Sequence, residues 1–445
     1  MENGVEGLIR LAGSSSLVAM SVSRRAMLSA SGLAVAAAGV AALPSTAQSR
    51  SPQQSASSGV RTGADTSAAT HWRFLAGRRV GVITNQTGVL EDFTPIVNSM
   101  VADGVDVRVI LAPEFGYTGG GADLDDATDP STGITIENVF QVGAAEWDAL
   151  LSRFDLDTIV FDVAQLGARY ESQIWTLWAA MRALAKRNQT LVVLDRPNPA
   201  GGQAYGPVLE STHFSDVGLV PLALQHGLTV GELAGYFRSQ LTSGSVQLQV
   251  AQADGWTRQR ANSSEDGLLV PVRPKVTSIC TGLLYPGMEL LSAAHVACGT
   301  GTDRPYEVVG APYFDDEFVR DLQGQDLPGV RFRPITFRPT AGPFRDELCH
   351  GVQIHVTSTT ALDPIRIGVS ILSTMRRRYL EFSWRILDNG ANDRGRRMEL
   401  LTGEPRTRVL IGASAHGAAI NDSWQAKLHE FRLATQSSLL YAGGR

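Results

Sequence analysis

Four short apolar runs punctuate the first half of the chain: Arg79–Thr84 (RVGVIT), Val107–Leu111 (VRVIL), Thr158–Phe161 (TIVF) and Leu191–Leu194 (LVVL). Each stops where polar or glycine-rich sequence begins, and the last two run straight into Asp162 and Asp195. Near-continuous, β-branched runs of this length suit strands covered on both faces. The segments between them carry a helical period. Trp147, Leu150, Leu151 and Phe154 share one face of Ala145–Phe154, and Ile174, Leu177, Trp178, Met181 and Leu184 share one face of Ile174–Arg187. Strand, loop, helix, strand predicts an α/β fold, with a Rossmann-like, mainly parallel sheet domain over residues 71–240. From about residue 245 the rhythm changes. Val246–Val250, Arg331–Phe337 and Val352–Val356 read as alternating strands, and Ile365–Tyr379 as a helix with Arg376, Arg377 and Arg378 at the end its dipole favours. This predicts a smaller mixed α+β domain over residues 241–445.

A length of 445 residues accommodates two ordinary domains, and 43% apolar with 19% charged residues excludes broad disorder. A net charge of -5 argues against a nucleic-acid binder driven by bulk charge. Cys280, Cys298 and Cys349 show no CxxC or zinc spacing, so no metal is predicted; Cys280 and Cys298 either pair or stay free. Arg24-Arg25, an alanine-rich stretch from Ala26 to Leu43 and the small residues Ser45-Thr46-Ala47 follow the order of an export signal. The paired arginines give residues 1–47 a twin-arginine character and predict an exported, extracellular or envelope-associated protein. Residues 48–70 are small, polar and aperiodic, which predicts a flexible linker. No later segment reads as a membrane span, so the mature chain is expected to have none.

Polar residues just past parallel strands gather along one sheet edge, the usual ligand edge. Four such clusters stand out: Thr84–Gly88, Pro113–Gly116, Asp162–Arg169 and Asp195–Pro199. No GxGxxG follows the first strand and no GxxxxGK[ST] occurs, so the sheet is no evidence for a bound nucleotide or dinucleotide. Thr229 and Glu232 form a capping box ahead of Leu233 and Phe237, and His226 stands in the turn before it.

Ten blocks in order carry a resemblance: GVITNQTGV (81–89), LAPEFGYTGG (111–120), FDVAQLGARY (161–170), LDRPNPAGG (194–202), GPVLE (206–210), HGLTVGELA (226–234), LLYPGMELL (283–291), GTGTDRPYEVVGAP (299–312), GVRFRP (330–335) and CHGVQIHV (349–356). Together they resemble the bacterial exo-acting β-N-acetylmuramidases of peptidoglycan recycling, across roughly residues 75–380. The resemblance implies a Rossmann-like domain, a smaller mixed domain and a cleft between them. It implies removal of N-acetylmuramic acid from the non-reducing ends of peptidoglycan fragments, with no metal or organic cofactor. The family's acidic catalytic candidate lies in a PEHG-type block and maps onto Glu114. Several polar positions depart from the family pattern. Phe115 replaces its histidine, Thr118 an arginine, Gln225 an arginine and Cys298 a glutamate, while Ala164 and Gln165 stand where DIQDVGAR has its glutamine and aspartate.

Glycoside cleavage needs an acid for the leaving oxygen, and a base or nucleophile beside it. Glu114, directly after an apolar strand, is the candidate acid; its alternative role is to accept backbone hydrogen bonds in a tight turn. Asp162, at the next strand end, is the candidate second group. Asp123, Asp125 and Asp126 are less specific choices, and the sugar's acetamido group could replace a protein nucleophile. Asn85, Arg169, Asp195, Asn198, His226 and Arg304 are the candidate substrate-binding residues. Muramic acid carries a lactyl carboxylate that Arg169 or Arg304 could grip, unless they pair internally with Asp162 or Asp195. The expected partner is a peptidoglycan-derived glycan or muropeptide. The alternative function is a non-catalytic glycan- or muropeptide-binding relative of the same family.

Overall fold

The computed structural model describes residues 59–120, 127–258, 270–387 and 390–441, all within a compact body spanning residues 57–445. The expected export signal, linker residues 48–58 and Asp123, Asp125 and Asp126 lie outside the described residues.

Strands β1 (Arg79–Thr84), β2 (Asp106–Ala112), β3 (Ile136–Asn138), β4 (Thr158–Asp162) and β5 (Thr190–Leu194) coincide with the apolar runs, with β3 added. A short antiparallel pair follows, β6 (Tyr205–Val208) and β7 (Ala223–Gln225), and then β8 (Gln247–Ala251). Six of these strands form one sheet in the order β3-β2-β1-β4-β5-β8, parallel throughout. The order reverses at β1/β4, where Thr84 pairs with Asp162, which is where doubly wound folds open a crevice.

Alternate residues of each strand enter two cores. Ile83, Phe161 and Val193 join the residues of α3 (Ala144–Arg153), α4 (Ser172–Arg187) and α5 (Val230–Gln240). Val82, Val160 and Val192 join those of α1 (Gly63–Ala68) and α2 (Ile96–Ala102) on the other face. This two-sided burial explains why the strands read as unbroken apolar runs.

Two boundaries differ from expectation. Residues 61–68, expected as linker, are docked structure: Thr62 and Asp65 form a capping box for α1, and the Gly63 N–H donates to Asp195 O at 2.7 Å. A Cβ on Gly63 would stand 2.1 Å from Ala251 O, so only glycine permits this approach to the ends of β5 and β8. Small polar residues read as flexible when counted alone, yet here they cap a helix and lie against backbone. In addition, β8 belongs to the first sheet, so that layer continues past residue 240.

The second half opens with α6 (Ile279–Met288). It continues through β9 (Val308–Ala311), α7 (Asp316–Gln323), β10 (Val330–Phe337), β11 (Cys349–Val356) and α8 (Pro364–Arg378). Its sheet is antiparallel in the order β10-β11-β9, smaller than the first. Helices α9 (Arg396–Thr402), α10 (Arg406–Gly412), α11 (Gly417–Asp422) and α12 (Gln425–Thr435) follow. The last of these returns to the first layer, where Leu428 and Phe431 enter the core beside Tyr236. Each contributes about 1.5–3 kcal/mol by burial. Cys280, Cys298 and Cys349 are free thiols. No helix among the described residues is long and apolar enough to cross a membrane.

Candidate active site

Where β2 ends, Pro113-Glu114-Phe115-Gly116 turns sharply, with Gly116 N–H donating to Pro113 O at 3.0 Å. Phe115 and Gly116 both adopt φ 72°, a backbone conformation that costs a phenylalanine on the order of 1 kcal/mol or more. The turn carries the half-buried Glu114 to the start of α4, where the Ser172 hydroxyl donates to Glu114 Oε2. Among the described residues no backbone N–H donates to that carboxylate, so its partner is a side chain and not the turn itself.

Glu114 and Ser172 open onto a cavity of about 650 Å³, within the range of small-molecule sites. One wall is a face of α4 at helical spacing, Ser172, Trp175, Thr176, Ala179 and Ala183, with Arg182 and Lys186 further along. Val139–Ala144 and Trp147 form a second wall. The second half of the chain supplies Arg273, Tyr285, Glu289, Arg397 and Leu401.

This last group is hydrogen-bonded into a polar floor. Arg397 Nη2 donates to Glu289 Oε1 at 2.7 Å and its Nε to Ser292 Oγ at 2.7 Å. Tyr306 OH donates to Glu289 Oε2 at 3.0 Å. The Arg273 guanidinium lies 4.9 Å from the Tyr285 ring centroid and 5.5 Å from that of Phe115, and it donates to Tyr285 OH. Tyr170 OH donates to Pro286 O at 2.7 Å, joining the start of α4 to the end of α6. Burial pushes the Tyr170 and Tyr285 phenols well above their usual range, so both are protonated donors at neutral pH. Glu171, immediately before Ser172, is fully buried and accepts from Leu166 N and Ala168 N. Burial nevertheless pushes it up to about 7.

Of the described candidate catalytic and substrate-binding residues, Glu114 alone lines this cavity. Asp162 is buried and holds Arg196 on both oxygens, at 2.5 and 2.8 Å. Arg169 pairs with neither Asp162 nor Asp195. Its guanidinium donates to the carbonyls of Pro207, Leu222 and Leu401 at 3.2, 2.9 and 2.6 Å, and burial lowers it to about 9. Asp195 accepts from Gly231 N, Thr229 Oγ1 and Tyr441 OH, and burial raises it to about 6. Asn198 donates to Leu228 O and accepts from Ala200 N. Asn85 accepts from Thr87, and His226 Nδ1 accepts from Leu228 N. Arg304 is half-exposed beside Glu307, at 3.5 Å. The polar clusters at the ends of β4 and β5 thus brace loops, and α1 lies against the ends of β5 and β8.

Ser172, Arg273, Tyr285, Glu289, Tyr306 and Arg397 were not singled out from the sequence. Tyr285 and Glu289 stand inside the LLYPGMELL block and Tyr306 inside GTGTDRPYEVVGAP, so a signal existed for these three. Arg273 and Arg397 fall outside every block.

Sequence models of the N- and C-terminal domains of exo-beta-N-acetylmuramidase NamZ match residues 80–279 and 283–441. The chain is 30% identical over 390 residues to the peptidoglycan beta-N-acetylmuramidase NamZ of Bacillus subtilis (strain 168), covering 86% of this chain and 91% of that relative. The chain belongs to the exo-β-N-acetylmuramidase family. The two matches of this family meet at the start of α6, after the whole first sheet including β8. A solved structure of a DUF1343 family protein from Bacteroides fragilis NCTC 9343 superposes with a TM-score of 0.77 at 26% identity, covering 86% of this chain and 99% of that one. A second DUF1343 protein of the same organism shares the fold, with a TM-score of 0.69. Family membership supports a peptidoglycan glycosidase.

Proposed function

We propose that this chain is an exo-acting hydrolase that removes β-linked N-acetylmuramic acid from the non-reducing ends of peptidoglycan fragments. The observation that carries the proposal is the setting of Glu114. It opens onto a sugar-sized cavity and is held by the Ser172 hydroxyl, free of the backbone of its own turn. In the reaction, Glu114 gives its proton to the glycosidic oxygen as the bond from C1 breaks. Water supplies the hydroxyl that ends on C1, and its proton restores the acid. Trp175 and Trp147 offer an aromatic wall to the sugar ring, and the Tyr285 hydroxyl, which accepts from Arg273, keeps its own proton to donate to a sugar hydroxyl. Export is part of the same proposal. Arg24-Arg25 and the alanine-rich stretch behind them would carry the enzyme out of the cytoplasm to where peptidoglycan fragments arise.

The test is hydrolysis of a chromogenic β-N-acetylmuramide by the full chain and by Glu114→Gln, with the β-N-acetylglucosaminide as comparison. Turnover of the muramide should fall by about 10²- to 10⁴-fold in the variant, the range that one general acid contributes. Turnover of the glucosaminide alone would move the substrate to another amino sugar. Binding of muropeptides without turnover of either glycoside would replace hydrolysis with glycan binding.

A further inference from the structure

The lactyl carboxylate of muramic acid hangs from the same sugar ring whose C1 bond is cut. Its receptor must therefore lie within a ring's breadth of Glu114. Neither arginine favoured by the sequence meets this requirement: Arg169 is engaged by three carbonyls, and Arg304 pairs with Glu307 off the cavity. Four cations line the cavity itself, Arg182, Lys186, Arg273 and Arg397. Arg397 is held by Glu289 and Ser292, and Lys186 is 3.4 Å from Asp148. Arg182 stands ten residues along α4 from Ser172, about 15 Å away at the helical rise.

Arg273 differs from all three. Its guanidinium lies against the rings of Tyr285 and Phe115, the residue adjoining Glu114, and its one hydrogen bond among the described residues is to Tyr285 OH. Among the described residues no carboxylate forms an ion pair with it, and the nearby charge of Glu289 is taken up by Arg397. Aromatic faces fix the plane of the fork and leave its remaining N–H groups uncommitted. This is the preorganisation that makes arginine a bidentate receptor for carboxylates. Phe115, which stands where the family has histidine, supplies one of the two rings.

We propose that Arg273 is the residue by which the cavity recognises the lactyl carboxylate, and so distinguishes N-acetylmuramic acid from N-acetylglucosamine. The proposal rests on the muramidase reading of the site. It is tested on the full chain with three chromogenic glycosides: the muramide, its lactyl methyl ester and the glucosaminide. The wild type should prefer the free acid over both others. Arg273→Gln should lower kcat/KM for the acid by about 10- to 150-fold, the value of hydrogen bonds to a charged group, and change the ester and the glucosaminide only a few-fold. Arg273→Lys should recover part of the preference, since it keeps the charge and loses the fork. Equal losses on all three glycosides, or a wild type that treats acid and ester alike, would overturn the proposal; the second comparison needs no variant to fold. If the wild type turns over none of them, the hydrolase reading fails by itself. Calorimetric binding of N-acetylmuramic acid over N-acetylglucosamine, lost in Arg273→Gln, would then still uphold the carboxylate site. Absence of that selectivity in the wild type would end it.

Discussion

Buried polar side chains at the ends of β1, β4 and β5 brace loops in this protein, and His226 shows the consequence most directly. Its Nδ1 accepts from Leu228 N, its ring is fully buried, and burial, with Arg169 and Arg258 nearby, lowers it to about 3. The folded state therefore holds it neutral, while the unfolded chain protonates it near pH 6.5. Its contribution is present above pH 6.5 and is lost as pH falls toward 3. Glu171 and Asp195 act with the opposite sign. Burial raises them to about 7 and about 6, so their contributions are present at low pH and fade as pH rises through those values. His226→Asn keeps an acceptor for Leu228 N and removes only the first effect. Melting temperatures from pH 7 to pH 4.5 should fall less steeply in the variant. The difference amounts to roughly 3 kcal/mol by pH 4.5, at 1.36 kcal/mol per unit. Parallel curves for the two proteins would show that His226 is not held neutral.

Among the elements, α1 has the largest effect for its length. These six residues, with a capping box at the N-terminal end and Gly63, the first of them, against the backbone of Asp195 and Ala251, lie against the ends of β5 and β8. Asp65 also accepts from Glu91 N at 2.8 Å, tying the loop after β1 to the same helix. A chain beginning at residue 59 should melt with the full protein, whereas one beginning at residue 71 should lose at least several kcal/mol with the cap, the docking and the burial of Ala64. Equal melting of the two would return residues 61–70 to the status of linker. The helix α4 works differently: its long apolar face was visible as periodicity, but its first residue, Ser172, acquires meaning only because the turn after β2 delivers Glu114 to it.

For the whole molecule, the fold closes at its far end. Leu428 and Phe431 of α12 pack in the core of the first sheet, Leu440 N donates to Glu232, and Tyr441 OH donates to Asp195 Oδ2 at 2.6 Å. The first layer is thus complete only with residues 428–441 in place. Under the proposed twin-arginine reading of residues 22–47, replacing Arg24 and Arg25 together by lysine should abolish export and leave folded, active protein in the cytoplasm, as seen by fractionation and immunoblotting. Undiminished export of the double variant would remove the twin-arginine reading.

The strands, the helices between them and the family were legible in the residues. Burial on one face or two imprints a local period, and ten blocks in order do not arise by chance. That Glu114 lies beyond the end of an apolar run was legible too, and its candidate role came from the resemblance. The rest of the site was not. A buried loop must satisfy its own N–H and C=O groups, and it does so with the residue types that would hold a sugar. Which task Arg169, Asp195 or Arg273 performs depends on partners remote in the chain: Leu401 for the first, Tyr441 for the second, Phe115 for the third. Such pairings leave no period in the sequence. They are decided where distant segments meet, by which polar groups water can no longer reach.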